Sequence, residues 1–196
     1  MEGGSRMPLR GERDPEERES SVLRPRLAPL DAVGVVGGGT MGRGIAMCFL
    51  DAGLPVTLVD VDDTAAAAAA AGIDATYRRS SAFKKGRLTE AALAAKLAKL
   101  AVASDVAALG GADLVVEAIY EELEAKRDVF ARLDGACKPT AVLASNTSTL
   151  SIDSIADAVA DPARVVGTCV EINQCVGCTR QFFTKSFLGD DAAVLA

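Results

Sequence analysis

Between Val33 and Thr168, short apolar runs alternate with longer amphipathic stretches, and that alternation predicts strands and helices in turn. Residues 33–36, VGVV, are apolar and largely β-branched and predict a buried strand, with a helix to follow over residues 40–52. Residues 55–60 predict a second strand ending on a carboxylate. Asp62 or Asp63 then caps a helix whose alanine run, residues 65–71, has the highest helix propensity; it is expected to continue through Tyr77 to Lys84 and stop at Gly86. Thr89 caps another helix over residues 90–100, with Leu93, Leu97 and Leu100 on one face, and the two helices are expected to form an antiparallel pair projecting from the sheet. Residues 112–119, ADLVVEAI, read as a buried parallel strand with an unbroken apolar centre. Glu121 and Glu122 open the next helix, whose inner stripe is Leu123, Val129, Phe130 and Leu133. Residues 141–144 form a further strand, Ser151 caps a helix over residues 152–159, and residues 164–168 form the last strand. Strand and helix alternate throughout, so the expected class is α/β: a Rossmann-type doubly wound parallel sheet with a helical-pair insertion after the second strand.

Gly37, Gly38, Gly39, Thr40, Met41 and Gly42 join the first strand to the first helix and spell G-x-G-x-x-G. In such a loop the first glycine permits a tight turn, the second lets backbone approach a pyrophosphate, and the third admits close contact between helix and strand. The helix start adds free N–H groups and the positive end of its dipole. Asp60 follows at about the spacing of an acid that accepts hydrogen bonds from ribose hydroxyls. A carboxylate there repels a 2′-phosphate, so the expected cofactor is NAD and not NADP. Ser145, Asn146, Thr147, Ser148 and Thr149 sit at a later strand's carboxyl end, where open α/β sheets bind their ligands.

Composition removes some classes. A formal charge of −6 and 4% aromatic residues argue against a nucleic-acid surface, and no apolar run approaches the length of a membrane span. Five cysteines, Cys48, Cys137, Cys169, Cys175 and Cys178, are an odd count scattered through an α/β pattern, which points to reduced thiols in a cytoplasm-like compartment. Residues 1–30 mix arginine, glutamate, proline and glycine with almost nothing to bury, and are expected to be a disordered arm or linker. Their acids, among them Glu12, Asp14 and Glu16, argue against a mitochondrial transit peptide.

With these motifs assembled, residues 33–168 resemble the NAD-binding domain of the L-3-hydroxyacyl-CoA dehydrogenases of fatty-acid β-oxidation. The resemblance is carried by GGGTMGRGIA, VTLVD, KKGRLT, ADLVVEAIYEELEAKRDVF, KPTAVLASNTSTLSIDSIA and RVVGT. NTSTL and KKGRLT are more similar to the multifunctional enoyl-CoA hydratase/dehydrogenase proteins than to the short enzymes. The resemblance implies oxidation of an acyl-CoA substrate, with Gly37 to Gly42 on the pyrophosphate and Asp60 on the adenosine ribose. It makes Glu121 and Lys126 further NAD contacts and puts Ser148 near the nicotinamide and the substrate. Thr76 and Lys84 or Lys85 fall at its CoA contacts. Members dimerise through a helical domain that follows this one.

Beyond RVVGT the chain departs from that pattern. The family continues with His-Phe-Phe, its histidine acting as base under the orientation of a glutamate; here Cys169 takes the histidine's place and Gln181 the glutamate's, while Glu171 lies elsewhere. No histidine occurs anywhere. Residues 169–196 are therefore expected to be a divergent tail following an NAD-binding domain over residues 31–168. Cys175 and Cys178 form C-x-x-C, but a structural zinc needs four ligands and too few stand nearby, so no metal is expected. Two readings stay open: a dehydrogenase or part of one, and a non-catalytic NAD- and acyl-CoA-binding module.

Overall fold

A computed structural model describes residues 30–168. The expectations for residues 1–29 and for the tail from Cys169, including Cys175 and Cys178, lie outside the described residues.

Six parallel strands form one sheet: β1 (Val33–Val36), β2 (Val56–Val59), β3 (Leu100–Ala103), β4 (Leu114–Glu117), β5 (Val142–Asn146) and β6 (Val165–Thr168). Their order across the sheet is β3-β2-β1-β4-β5-β6, the doubly wound arrangement. β1 is central, with Val36 beside Val59 of β2 on one side and Glu117 of β4 on the other. The chain leaves the β3 edge and re-enters at β4, so the carboxyl ends of β1 and β4 flank the switch point where such sheets bind ligands.

The helices are α1 (Thr40–Asp51), α2 (Asp63–Arg79), α3 (Ser81–Lys84), α4 (Glu90–Leu97), α5 (Leu123–Ala136) and α6 (Ile152–Ala156). Alternation along β1 divides the core. Val33 and Val35 face a cluster with Ile45, Phe49, Leu58, Ile73, Tyr77 and Leu93, while Val36 faces Val106, Leu109, Phe130, Leu133, Leu143 and Ile155. Burial of these side chains on both faces, at about 25 cal/mol per Å² of apolar surface, is the main force holding helices to sheet.

Several sequence expectations change here. The helix expected to run through Tyr77 to Lys84 breaks at Ser80, whose extended backbone (ψ 152°) ends α2 while its hydroxyl accepts from Phe83 N–H at 3.2 Å to start α3. Residues 98–100 are not helical, because α4 stops at Leu97 and Leu100 opens the edge strand β3. The helix begun at Ile152 ends at Ala156, three residues before the expected Val159. The insertion after β2 is present as α2, α3 and α4, but its inner face belongs to the core instead of projecting: Ala69, Ile73, Tyr77 and Leu93 are buried. Asp51 at the end of α1 fastens it, accepting from Tyr77 Oη at 3.0 Å and from Lys96 Nζ at 2.5 Å.

Asp113 performs a similar task at the amino end of β4. Its carboxylate accepts from the backbone N–H of Asp31 (2.7 Å) and Ala32 (3.0 Å) and pairs with Lys138, joining three segments. The hydrogen bond from Lys138 pulls its pKa below the usual carboxylate value, against an opposing effect of burial and with help from the two backbone donors. A folded value below the unfolded one, about 3.9, means that the contribution is fully present above that pH and is lost as acid passes through the folded value. Asp113→Asn is expected to cost about 1–2 kcal/mol at pH 7 in urea unfolding, with the difference from the parent shrinking at pH 3 and below.

Candidate functional site at the carboxyl edge of the sheet

The glycine loop is built by its neighbours. Gly37 donates to the Val59 carbonyl at 2.8 Å and has φ +100°, a conformation side chains rarely adopt. A Cβ on Gly42 would stand 1.7 Å from the Gly37 carbonyl oxygen, so α1 crosses β1 at a separation that excludes any side chain. On Gly38, a Cβ would meet Asp60 Oδ2 and the Ala69 methyl, each at 2.5 Å. Gly39 differs: a Cβ there meets nothing within 4 Å. Gly39 is also the N-cap of α1, and no side chain caps the helix; α5 likewise starts without a side-chain cap, while Asp62, Ser80, Thr89 and Ser151 cap α2, α3, α4 and α6. Thr40 and Met41 form the first turn behind it.

Asp60 closes one side of the loop. Its Oδ2 accepts from Gly38 N–H at 2.8 Å and its Oδ1 from Val61 N–H at 2.7 Å. Each oxygen of an ionised carboxylate can accept again, so both keep capacity for outside donors.

Glu121 stands on the other side, just before α5. Its Oε1 accepts from the hydroxyls of Thr147 and Thr149, the latter at 3.0 Å, and its Oε2 lies 3.4 Å from Lys126 Nζ. Burial, the largest single influence, opposes ionisation, but the two hydroxyl donors and the Lys126 charge outweigh it and hold the Glu121 pKa below the ordinary value. Ser148 lies exposed between the two threonines.

Beneath this surface is a group that the sequence did not announce. Glu117, the last residue of β4, is fully buried; its Oε1 accepts from Ile119 N–H and Lys126 Nζ, both at 2.7 Å, and its Oε2 from Ser145 Oγ at 2.6 Å. Thr168 Oγ1 donates to the Ser145 carbonyl at 3.3 Å and extends the network to β6. Lys126 has no exposed surface either. A charge inside an apolar strand, with a lysine nine residues later, was the available signal for the pair.

The structure thus gathers Gly37 to Gly42, Asp60, Glu121, Lys126 and Ser148 at the carboxyl ends of β1, β2, β4 and β5. Thr76, Lys84 and Lys85 are set apart on the surface of α2 and the end of α3, with Thr76 Oγ1 donating to the Gly72 carbonyl at 2.7 Å. Among the described residues no helix is long and apolar enough to cross a membrane.

Comparison with known proteins extends this geometry. A family model described as 3-hydroxyacyl-CoA dehydrogenase, NAD binding domain, matches residues 32–169. The human peroxisomal bifunctional enzyme is 41% identical over 140 residues, which are 71% of this chain and 19% of that protein. The 3-hydroxyadipyl-CoA dehydrogenase of Escherichia coli K12 is 41% identical over 138 residues, 70% of this chain and 29% of its own. Among solved structures, (S)-3-hydroxybutyryl-CoA dehydrogenase from Ralstonia eutropha superposes with a TM-score of 0.69 at 34% identity, covering 73% of this chain and 50% of that one. The chain therefore spans about a fifth of the length of the human relative.

Proposed function

The chain belongs to the 3-hydroxyacyl-CoA dehydrogenase family through its NAD-binding domain, and from that premise we propose that residues 31–168 are the cofactor-holding part of an enzyme that oxidises an L-3-hydroxyacyl-CoA to the 3-oxoacyl-CoA in fatty-acid β-oxidation. NAD, when bound, supplies the hydride acceptor; the residues named here only hold and orient it. The observation that carries the assignment is the contrast within the glycine loop. Packing demands glycine at Gly37, Gly38 and Gly42, but nothing in the fold demands it at Gly39, where a close-lying pyrophosphate would. The uncapped start of α1 supplies donors and a positive dipole for that diphosphate.

Asp60 and Glu121 follow the two strands that flank β1, so each would serve one ribose: Asp60 the adenosine side, Glu121 the nicotinamide side. Ser148 would contact substrate and nicotinamide. Thr76 and Lys84 or Lys85 would meet the CoA moiety, which the resemblance supports and their surface position permits. The homologous dehydrogenases bind small molecules, and an acyl-CoA is the partner this reading assigns.

Paired fluorescence titrations with NADH and NADPH test the cradle. The unaltered chain is expected to bind NADH at least about tenfold more tightly, since a carboxylate faces the extra phosphate. Asp60→Ala should narrow that ratio. The ratio is the readout because Asp60 also anchors the loop through Gly38, so the absolute affinity for either cofactor falls with it. Equal affinity for both cofactors in the unaltered chain would sink the assignment of Asp60.

A further inference from the structure

Gly72, in the middle of α2, is the meeting point of two side chains. Arg43 of α1 lays its guanidinium against it so closely that a Cβ on Gly72 would stand 2.2 Å from Nη1 and 3.2 Å from Cζ. Thr76, one turn further along α2, donates its hydroxyl to the Gly72 carbonyl at 2.7 Å. We propose that Arg43 is a specificity-determining residue for the acyl-CoA, receiving the 3′-phosphate of the CoA nucleotide beside Thr76. The inference rests on the function proposed above and adds to its CoA contacts, Thr76 and Lys84 or Lys85, a residue that the resemblance does not assign.

Folding alone gives little reason for a cation at this place. The Arg43 N–H closes the first turn of α1 on the Gly39 carbonyl, so the residue stands near the helix start, where positive charge opposes the dipole. Arg43 is half-buried, and among the described residues no carboxylate pairs with it, whereas Arg78 of α2 is held by both Asp74 and Glu90. A guanidinium taken partly out of water needs an acceptor, and an ionised one suits it best. In a chain of formal charge −6, moreover, a polyanionic ligand depends on local cations.

The side chain leaves the glycine loop behind. Ala69 is the α2 residue that abuts Gly38 beside Asp60, and Gly72 lies about one turn beyond it. Arg43 is therefore drawn onto the stretch of α2 that leads from the NAD cradle to Thr76, and away from the diphosphate seat at Gly39. Two kinds of cation then meet two kinds of phosphate. CoA carries a terminal 3′-monoester, with about −1.5 to −2 of charge at neutral pH, and a diphosphate within its length. A planar guanidinium matches two oxygens of a terminal phosphate in a fixed fork, whereas Lys84 and Lys85, exposed at the end of α3, are point charges that suit the diphosphate.

Calorimetric titration of the full 196-residue chain with CoA, 3′-dephospho-CoA and NADH tests the assignment. The unaltered chain is expected to bind CoA about tenfold more tightly than dephospho-CoA, the worth of roughly one hydrogen bond to a charged group. Arg43→Gln should erase that preference by weakening CoA, with dephospho-CoA and NADH held within about twofold. Gly72→Ala keeps the positive charge but pushes the guanidinium from its seat, so it should lose most of the preference as well. Alanine favours a helix interior over glycine, so the melting temperature of that variant should hold or rise, which separates its loss from misfolding. Arg43→Lys, with the charge but no fork, should fall between the parent and Arg43→Gln. Equal affinity of the unaltered chain for CoA and dephospho-CoA, or NADH binding without any CoA binding, would overturn the inference and leave the NAD reading standing. So would an Arg43→Gln variant that loses NADH as much as CoA, since the guanidinium would then serve the cofactor. Failure of the unaltered chain to bind NADH at all would overturn both.

Discussion

Assayed as the 196-residue chain, the protein is expected to oxidise 3-hydroxybutyryl-CoA with NAD no faster than its own Gly39→Asp variant. Loss of hydride from a hydroxyl-bearing carbon requires that the hydroxyl proton be taken by a positioned base. The sequence contains no histidine, and Cys169 stands where the family resemblance places one. A free thiol titrates near 8.5 and an imidazole near 6.5, so the cysteine is a poor replacement at neutral pH. Glu121 is no substitute, because the hydroxyls of Thr147 and Thr149 and the charge of Lys126 overcome the effect of burial and hold its pKa low. General base catalysis is worth about two to four orders of magnitude, and substrate positioning, which the rest of a full-length relative supplies, is worth more. Cys169→His alone should therefore recover little. A fusion that replaces residues 169–196 with a His-Phe-Phe continuation and helical domain from a relative should restore turnover. Steady oxidation by the unaltered chain above the Gly39→Asp background would show that a base has been overlooked.

What could be read in advance was whatever depends on local pattern. The β1 to β2 unit was legible because glycine spacing, helix and terminal Asp60 all fall within one continuous stretch, and the structure places them in that order. Thr89 and Ser151 were legible as caps because a cap acts on N–H groups only two or three residues away. β3 was not legible, since LAVA is four residues long, sits at the sheet edge with its middle pair exposed, and follows a helix of the same composition. The break at Ser80 was hidden for a related reason. A serine is as compatible with a helix interior as with a cap, and only the turn into α3 distinguishes the two uses. Glu117 was the costliest omission. Inside ADLVVEAI its charge reads as an interruption of an apolar strand, and apart from the local Ile119 N–H its partners, Lys126 and Ser145, are brought to it only by the parallel crossover from β4 through α5 to β5. Lys126, which the resemblance makes an NAD contact, is fully buried and reaches Glu117, a partner nine residues away that no local pattern links to it.

Gly39→Asp is expected to abolish NADH binding while leaving the fold intact, a separation that no other glycine of the loop offers. A Cβ at position 39 meets nothing within 4 Å, and Gly39 lacks the positive φ of Gly37, so the substitution introduces no steric conflict inside the protein. Aspartate is moreover a favoured N-cap, and it would occupy the cap position that Gly39 leaves without a side chain. The melting temperature should hold or rise slightly. The same carboxylate would face the diphosphate of an incoming cofactor, at a cost of about 4 kcal/mol per charge at 4 Å and an effective dielectric of about 20, or roughly a thousandfold in affinity. Gly39→Ala separates bulk from charge and should fall between the parent and Gly39→Asp. Gly42→Ala should do the opposite, because its Cβ would stand 1.7 Å from the Gly37 carbonyl oxygen and force α1 away from β1. Overpacking of that kind costs about 1–3 kcal/mol or more, and thermal denaturation should register it before any ligand is added. NADH bound by Gly39→Asp within about twofold of the parent would place the diphosphate somewhere other than this loop, since a carboxylate beside it cannot be neutral in effect.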